Sequence, residues 1–414
     1  MILPRICLLN PYPPSVSPRL VRNANVLAAA GFDVVVVTTR LPKRLLPHEE
    51  FPKDFAWRYE FVDLTESAGG RLRWQFCRLR RKLFLALVER KPARTLISRA
   101  CTYAGPELAT LAAAQKADIY ISHTHGALPA AAAAARRTQA KLVFDAEDML
   151  AECSDEPMGV MRCIEETFVP QSSLITTMSR AAALRLQERL QLSQEPLVLH
   201  NTPSLKEREG VLPPSQRAKT NRLRVYWFGQ RIGRHSCADQ VLHAMARMKA
   251  KAVLVLRGTP DPAYLQELQT LAQRLGLSDA LEIQPRALPS EMVRLAAEND
   301  VALGTQPSDE PFHQLAVGNK VFTGLMAGLA IGLTDTTAHR RLSEELTGSS
   351  FLFPNNDHPV LASRLEELAS SPKKLQDMKS AAWSLAGERF NWECESLTWL
   401  RVVRRLLNLP ETKP

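Results

Sequence analysis

Clusters of titratable and polar residues sit where apolar runs of the chain end. His123-Thr124-His125 follows the run Asp118 to Ser122. Alternating histidines suit a metal or a substrate group, but no third ligand stands beside them, so no metal is expected. One imidazole is expected to face a cleft and the other to be structural. Asp145, Glu147 and Asp148 close the next apolar run, where a carboxylate can take a proton from a hydroxyl or cap a helix. Gly229, Arg231, Gly233 and Arg234 follow a third run. Glycines there admit close backbone approach, and arginines suit a diphosphate. The richest stretch runs from Gln306 through Glu310, Asn319, Lys320 and Thr323 to Gly328 and a further apolar run. On residue types alone, Asn319 and Lys320 either line a site or lie solvated on a helix.

The elements that must position these groups alternate. Strand-like runs are Arg5 to Asn10, Asp33 to Thr39, Asp118 to Ser122, Lys141 to Asp145, Leu174 to Thr177 and Leu197 to Leu199. Helical patterns lie between them, including Arg19 to Ala30, stopped by Gly31. After a polar, Pro213-Pro214-bearing stretch the alternation restarts at Leu223 to Phe228 and continues to Leu329 to Leu333, and the end is helical with a break near Phe390. This pattern predicts an α/β protein of two tandem Rossmann-like, doubly wound domains facing a cleft. The expected boundaries are 1–205, a linker at 206–221, 222–390, and a C-terminal helix in 391–414 for which a return to the N-terminal domain is one option. Ligands of such sheets bind beyond the carboxyl ends of the strands. No GxGxxG follows the first strand, which removes the main support for a dinucleotide oxidoreductase. The loop there, Asn10 to Pro18, either presents an anion site at the helix of Arg19 or simply stiffens the turn.

The 414 residues are 45% hydrophobic and 23% charged, an ordinary globular balance, and no apolar run is long enough to span a bilayer. Seven scattered cysteines without a CxxC pair fit reduced thiols, so a cytoplasmic location is expected. The net charge of +10 is local: residues 71–99 hold ten basic side chains against Glu89 alone. Leu72, Phe76, Leu79, Leu83 and Leu87 recur there at helical spacing, widened by Trp74, Phe84 and Val88. Arg73, Arg78, Arg80, Arg81 and Lys82 surround them, the make-up of a helix lying on an anionic membrane surface. Nucleic acid is disfavoured, because stacking platforms and a broad basic face are missing.

The Gln306 to Gly332 segment resembles the nucleotide-sugar site of GT-B glycosyltransferases of the family 4-like group, whose Asn-Lys-x-Phe helix precedes a glycine and a strand. Other segments resemble that group in kind and order: the proline-rich first loop, His125 to Pro129, Asp145 to Asp148, Met178-Ser179, His200-Asn201 and Tyr226 to Gln230. The resemblance implies metal-independent, retaining transfer of a sugar from a nucleotide-sugar donor to a glycan or glycolipid acceptor, without a cofactor. With the basic helix and the reduced thiols, the expected acceptor is lipid-linked or a surface polysaccharide at the inner face of the membrane. It puts Gly229, Arg231, Arg234, Asn319, Lys320 and Thr323 on the donor, Glu310 facing the transferred sugar and His125 near the reacting carbon. Arg19, Asp145 and Glu147 fall on the acceptor side. The chain departs from the pattern at Thr323, at Gly318 and at Ser236, where the group has Glu, Glu and a basic residue. Thr323 and Ser236 favour one rival, a binding or scaffold subunit that has lost catalysis. A second rival is a nucleotide-sugar epimerase of the same architecture, which needs no acceptor and no membrane helix.

Overall fold

The computed structural model describes residues 4–43, 45, 55–90, 96–218, 221–307 and 309–410. The chain divides into unit 1, residues 1–199 with 396–414, and unit 2, residues 200–395. Part of the basic segment, 91–95, lies outside the described residues.

Unit 1 carries strands β1 (Arg5–Leu9), β2 (Asp33–Arg40), β3 (Arg58–Asp63), β4 (Ile119–His123), β5 (Lys141–Ala146), β6 (Leu174–Thr177) and β7 (Leu197–Val198). They form one sheet in the order β3-β2-β1-β4-β5-β6-β7, with every pairing parallel. Its helices are α1 (Pro18–Ala29), α2 (Ala68–Arg90), α3 (Ile97–Ala100), α4 (Gly105–Ala114), α5 (Leu128–Thr138), α6 (Met158–Phe168) and α7 (Arg180–Leu190). The inner strands form because they are β-branched and buried on both faces, as Val34 to Val37 of β2 show. β3 escaped the sequence reading because an edge strand buries little; only Val62 of its six residues is buried.

Unit 2 repeats the plan with β8 (Leu223–Ile232), β9 (Ala252–Pro260), β10 (Leu281–Gln284), β11 (Val301–Gly304), β12 (Ala330–Thr334) and β13 (Ser350–Phe353), ordered β10-β9-β8-β11-β12-β13 and again parallel. Its helices are α8 (Ala238–Met245), α9 (Pro262–Arg274), α10 (Met292–Ala296), α11 (Pro311–Leu315), α12 (Asn319–Met326), α13 (Thr337–Glu345), α14 (His358–Ser370) and α15 (Pro372–Glu388). In both sheets the strand order reverses beside the first strand, at β1/β4 and β8/β11. That reversal opens a crevice at the strands' carboxyl ends.

The stretch expected as a linker belongs to unit 2. The Arg208 guanidinium lies 3.1 Å from the Trp383 ring centre and donates to the Trp383 carbonyl at 3.0 Å. Arg217 donates to the carbonyls of Leu212 and Ala297. These contacts fasten a segment that has no hydrophobic periodicity to announce them.

The last helix, α16 (Trp392–Leu406), begins in unit 2 and buries Trp399 and Val403 in the core of unit 1 beside Ile6, Leu20 and Leu27. Emptying the Trp399 site by Trp399→Ala is expected to cost unit 1 about 3–5 kcal/mol. Urea unfolding of unit 1 checks this, and an unchanged midpoint would contradict the packing role.

Candidate functional site

In unit 1, β4 ends at His123, and Thr124 turns the chain at φ +67°, ψ 164° before α5. A threonine held there is strained by about 1–3 kcal/mol, a cost carried by its surroundings. The Thr124 amide donates to the Asp145 carbonyl at 3.1 Å and Ser122 Oγ donates to the Thr124 carbonyl at 3.1 Å.

Asp145, wholly buried at the end of β5, is the hub. Arg19 of α1 grips both its oxygens, at 2.6 and 2.8 Å, and also donates to the Leu199 carbonyl. Thr176 Oγ1 donates to Oδ1 at 2.6 Å. His123 Nδ1 lies 3.1 Å from Asp145 Oδ2 and 2.7 Å from Glu147 Oε1. Burial alone would depress this imidazole, but hydrogen bonds and attraction from Asp145 and Glu147 prevail and raise it to about 9. On its other side, Nε2 lies 3.5 Å from the Asn23 amide nitrogen, while Asn23 Oδ1 is buried without a hydrogen-bond partner among the described residues. Turning that amide over sets Oδ1 against Nε2–H, which suits an imidazolium.

His123, Asp145 and Glu147 bring three potential ligand atoms within 4.8 Å of one another, a juxtaposition the sequence did not reveal. As a cation cage the set is poor. Arg19 occupies both oxygens of Asp145, and His123 serves as a proton donor to the same carboxylates.

His125 also lies inside unit 1. Its Nε2 is 2.6 Å from Glu165 Oε1, both side chains are fully buried, and Arg189 pairs with the other oxygen of Glu165. Burial, with Arg189 adding to it, lowers the imidazole to about 4, so it is neutral at pH 7. Glu165 and Arg189 left no trace in the sequence, being 40 and 64 positions from the histidine they fix. Of the acceptor-side group, Arg19 and Asp145 are thus buried scaffolding, and Glu147 keeps a side chain 19% exposed. Asp148 makes no ion pair among the described residues; desolvation and the nearby Glu147 raise it to about 6.

In unit 2, β8 runs through a bulge to Ile232, so Gly229 and Arg231 lie on the strand rather than in a loop after it. A Cβ on Gly229 would stand 2.6 Å from the Trp227 ring, so the glycine makes room for the indole. Arg231 and Arg234 are about three-quarters exposed, paired with Asp261 at 3.7 Å and Glu267 at 2.7 Å. Such exposed pairs exchange partners at little cost. Ser236 is buried; it donates to the Gly233 carbonyl, and its own carbonyl accepts from Thr305 Oγ1 at 2.7 Å. That bond joins the turns after β8 and β11.

Lys320 stands in the first turn of α12. The helix beds on β11 and β12 at Gly324, where a Cβ would come within 2.5 Å of Ala302 and 2.9 Å of Ile331. Val321, Phe322 and Thr323 turn inward, so Thr323 is buried, while Asn319 is exposed. The Lys320 ammonium lies 5.1 Å from the Trp227 ring centre. It makes no ion pair among the described residues. Loss of solvent lowers it to about 8, with the Cys237 thiol opposing only weakly. His235, beside it, is lowered by burial and by the Lys320 charge. Glu310 caps α11 with its carbonyl accepting from the amides of His313 and Gln314.

On α2 the stripe Leu72, Phe76, Leu79, Leu83 and Leu87 is 43–72% exposed. Trp74, expected among the membrane-facing groups, is buried against Tyr103 instead. Arg80 likewise turns in, gripping Glu107 with two nitrogens at 2.6 Å. Among the described residues, no helix is long and apolar enough to cross a membrane.

The His123 pair gives a pH signature. An imidazole raised to about 9 in the folded state stabilises the fold fully below its unfolded value near 6.5, and that contribution disappears as pH rises through 9. The melting temperature is expected to fall by several degrees from pH 7 to 10, and less in His123→Asn. Equal pH slopes in calorimetry would contradict the pairing.

Residues 16–202 match the family described as glycosyl transferase 4-like domain. No curated protein matches the chain. Among solved structures, the sucrose-phosphate synthase of Thermosynechococcus elongatus is similar at TM-score 0.72 and 13% identity, over 98% of this chain and 99% of that one. HepE of Anabaena, solved in complex with UDP-glucose, is similar at TM-score 0.67 and 16% identity, over 97% and 100%. WaaG, a glycosyltransferase involved in lipopolysaccharide biosynthesis, follows at 0.58 and 15%, over 95% and 98%. Over residues 16–202 the chain is thus similar to glycosyl transferase 4-like domains, and it is an α/β protein with the two-unit fold of GT-B glycosyltransferases, as its sequence resemblance implies.

Proposed function

We propose that the protein transfers a sugar from a nucleotide-sugar donor, held by unit 2, to a lipid-linked or surface-polysaccharide acceptor. Lys320 carries this reading: a half-buried ammonium, 5.1 Å from the Trp227 ring centre and in no ion pair among the described residues, at the start of the helix that follows β11, where the strand order reverses. A nucleoside diphosphate supplies the missing countercharge, and charge that develops on the departing diphosphate meets a preplaced cation. HepE, of similar fold, was solved with UDP and with UDP-glucose. Arg231 and Arg234 exchange their exposed carboxylate partners for the same phosphates. Glu310 faces the transferred sugar, and Asn319, exposed beside Lys320, contacts the donor.

With Lys320 in that role, no metal is called on to neutralise the leaving group. Retention of configuration rests on the family resemblance. His125, neutral and buried, acts by fixing the turn that opens α5. The exposed stripe of α2, flanked by Arg73, Arg78, Arg81 and Lys82, supports work at an anionic membrane surface on the cytoplasmic side.

The rival of a scaffold without catalysis draws on Thr323, buried where the family places a ribose-binding carboxylate. Titration with UDP, GDP, ADP and dTDP separates the two. One nucleotide is expected to bind, about 10–100-fold more weakly in Lys320→Met, since a charged hydrogen bond contributes about 1.5–3 kcal/mol. Because Lys320 is charged below its value of about 8 and neutral above it, wild-type affinity also falls from pH 7 to 9.5, whereas the variant changes less. Folded protein that binds none of the four would support the scaffold.

A further inference from the structure

The basic side chains of α2 fall into two groups. Arg80 is held by Glu107, Arg81 stacks 5.0 Å from the Tyr103 ring centre, and Arg73 donates to the Asp63 carbonyl. Arg71, Arg78 and Lys82 make no ion pair among the described residues. They sit at i, i+7 and i+11, on one face of the helix. All three line a surface depression of about 600 Å³, walled also by Trp74, Leu79 and Thr65. Glu66, at its edge, accepts from the Lys43 amide at 2.8 Å, leaving two cations in excess. Leu79 belongs both to this wall and to the exposed apolar stripe.

We infer that the depression between α2 and the residues following β3 seats the terminal phosphate of an anionic lipid head group, while the adjoining stripe enters the acyl layer. This rests on the membrane reading above and adds a defined ligand to it. Three long cationic side chains around one cavity suit the double charge of a phosphomonoester or diphosphate better than the single charge of a phosphodiester. The apolar rim at Leu79 joins that charge to a lipid tail rather than to a soluble anion.

Flotation of the full chain with two kinds of vesicle tests the inference. One contains phosphatidylcholine with phosphatidic acid, the other phosphatidylcholine with phosphatidylglycerol at matched surface potential. Wild-type protein is expected to prefer phosphatidic acid at least fivefold. Arg71→Gln/Arg78→Gln/Lys82→Gln is expected to lose that preference while keeping its melting temperature and its nucleotide binding. Phe76→Ser/Leu83→Ser is expected to lose binding to both vesicles. Equal binding to the two lipids by wild-type protein, or an unchanged preference in the triple variant, would overturn the head-group site and leave the membrane reading standing. No binding to either vesicle would overturn both. Displacement from phosphatidic acid by millimolar inorganic phosphate, with phosphatidylglycerol binding intact, would assign the cavity to a soluble anion and overturn the lipid assignment.

Discussion

Taking an ammonium out of water costs several kcal/mol unless another charge answers it. Lys320 bears part of that cost: its half-buried side chain makes no ion pair among the described residues and has the face of Trp227, the Cys237 thiol and His235 nearby. Much of unit 2 serves to hold it there. Gly324 lets α12 bed on the sheet, Gly229 makes room for the Trp227 indole, and the Ser236–Thr305 bond fixes the turns on either side. A cation that makes no ion pair among the described residues, at a strand-order reversal, suits an anion.

Unit 1 handles buried charge in the opposite way. Asp145 is answered by Arg19, Thr176 and His123; Glu165 is answered by His125 and Arg189. These pairs lock the ends of β4 and β5 to α1, α6 and α7, and they support a threonine in a strained conformation at the start of α5. Their value is positional: removing one partner would leave a charge stranded. Of the carboxylates at this strand end, Glu147 keeps a side chain 19% exposed and Asp148 lies exposed.

Much of this was legible in the sequence, for physical reasons. Central strands such as Asp33 to Thr39 read as unbroken apolar runs because both faces are covered, whereas β3 and β13, at sheet edges, do not. Lys320 stands out through its place at the start of a helix after a glycine, but that it makes no ion pair among the described residues depends on the folded surroundings. Gly229 was read as room for a phosphate, and its nearest constraint is Trp227. Arg78 and Arg80 are alike in sequence. They part only because Glu107 of α4 waits beneath one of them. The His125–Glu165 pair spans 40 residues with no periodicity to signal it.

The most direct test is a transfer assay. Purified protein is incubated with a membrane lipid extract and a panel of sugar-labelled nucleotide sugars, and both organic-phase label and released nucleoside diphosphate are followed. The account predicts that one donor labels the lipid fraction with an equal amount of nucleoside diphosphate released, and that Lys320→Met cuts the rate at least tenfold. Nucleotide binding without label in any lipid or glycan product, or transfer undiminished in Lys320→Met, would contradict it.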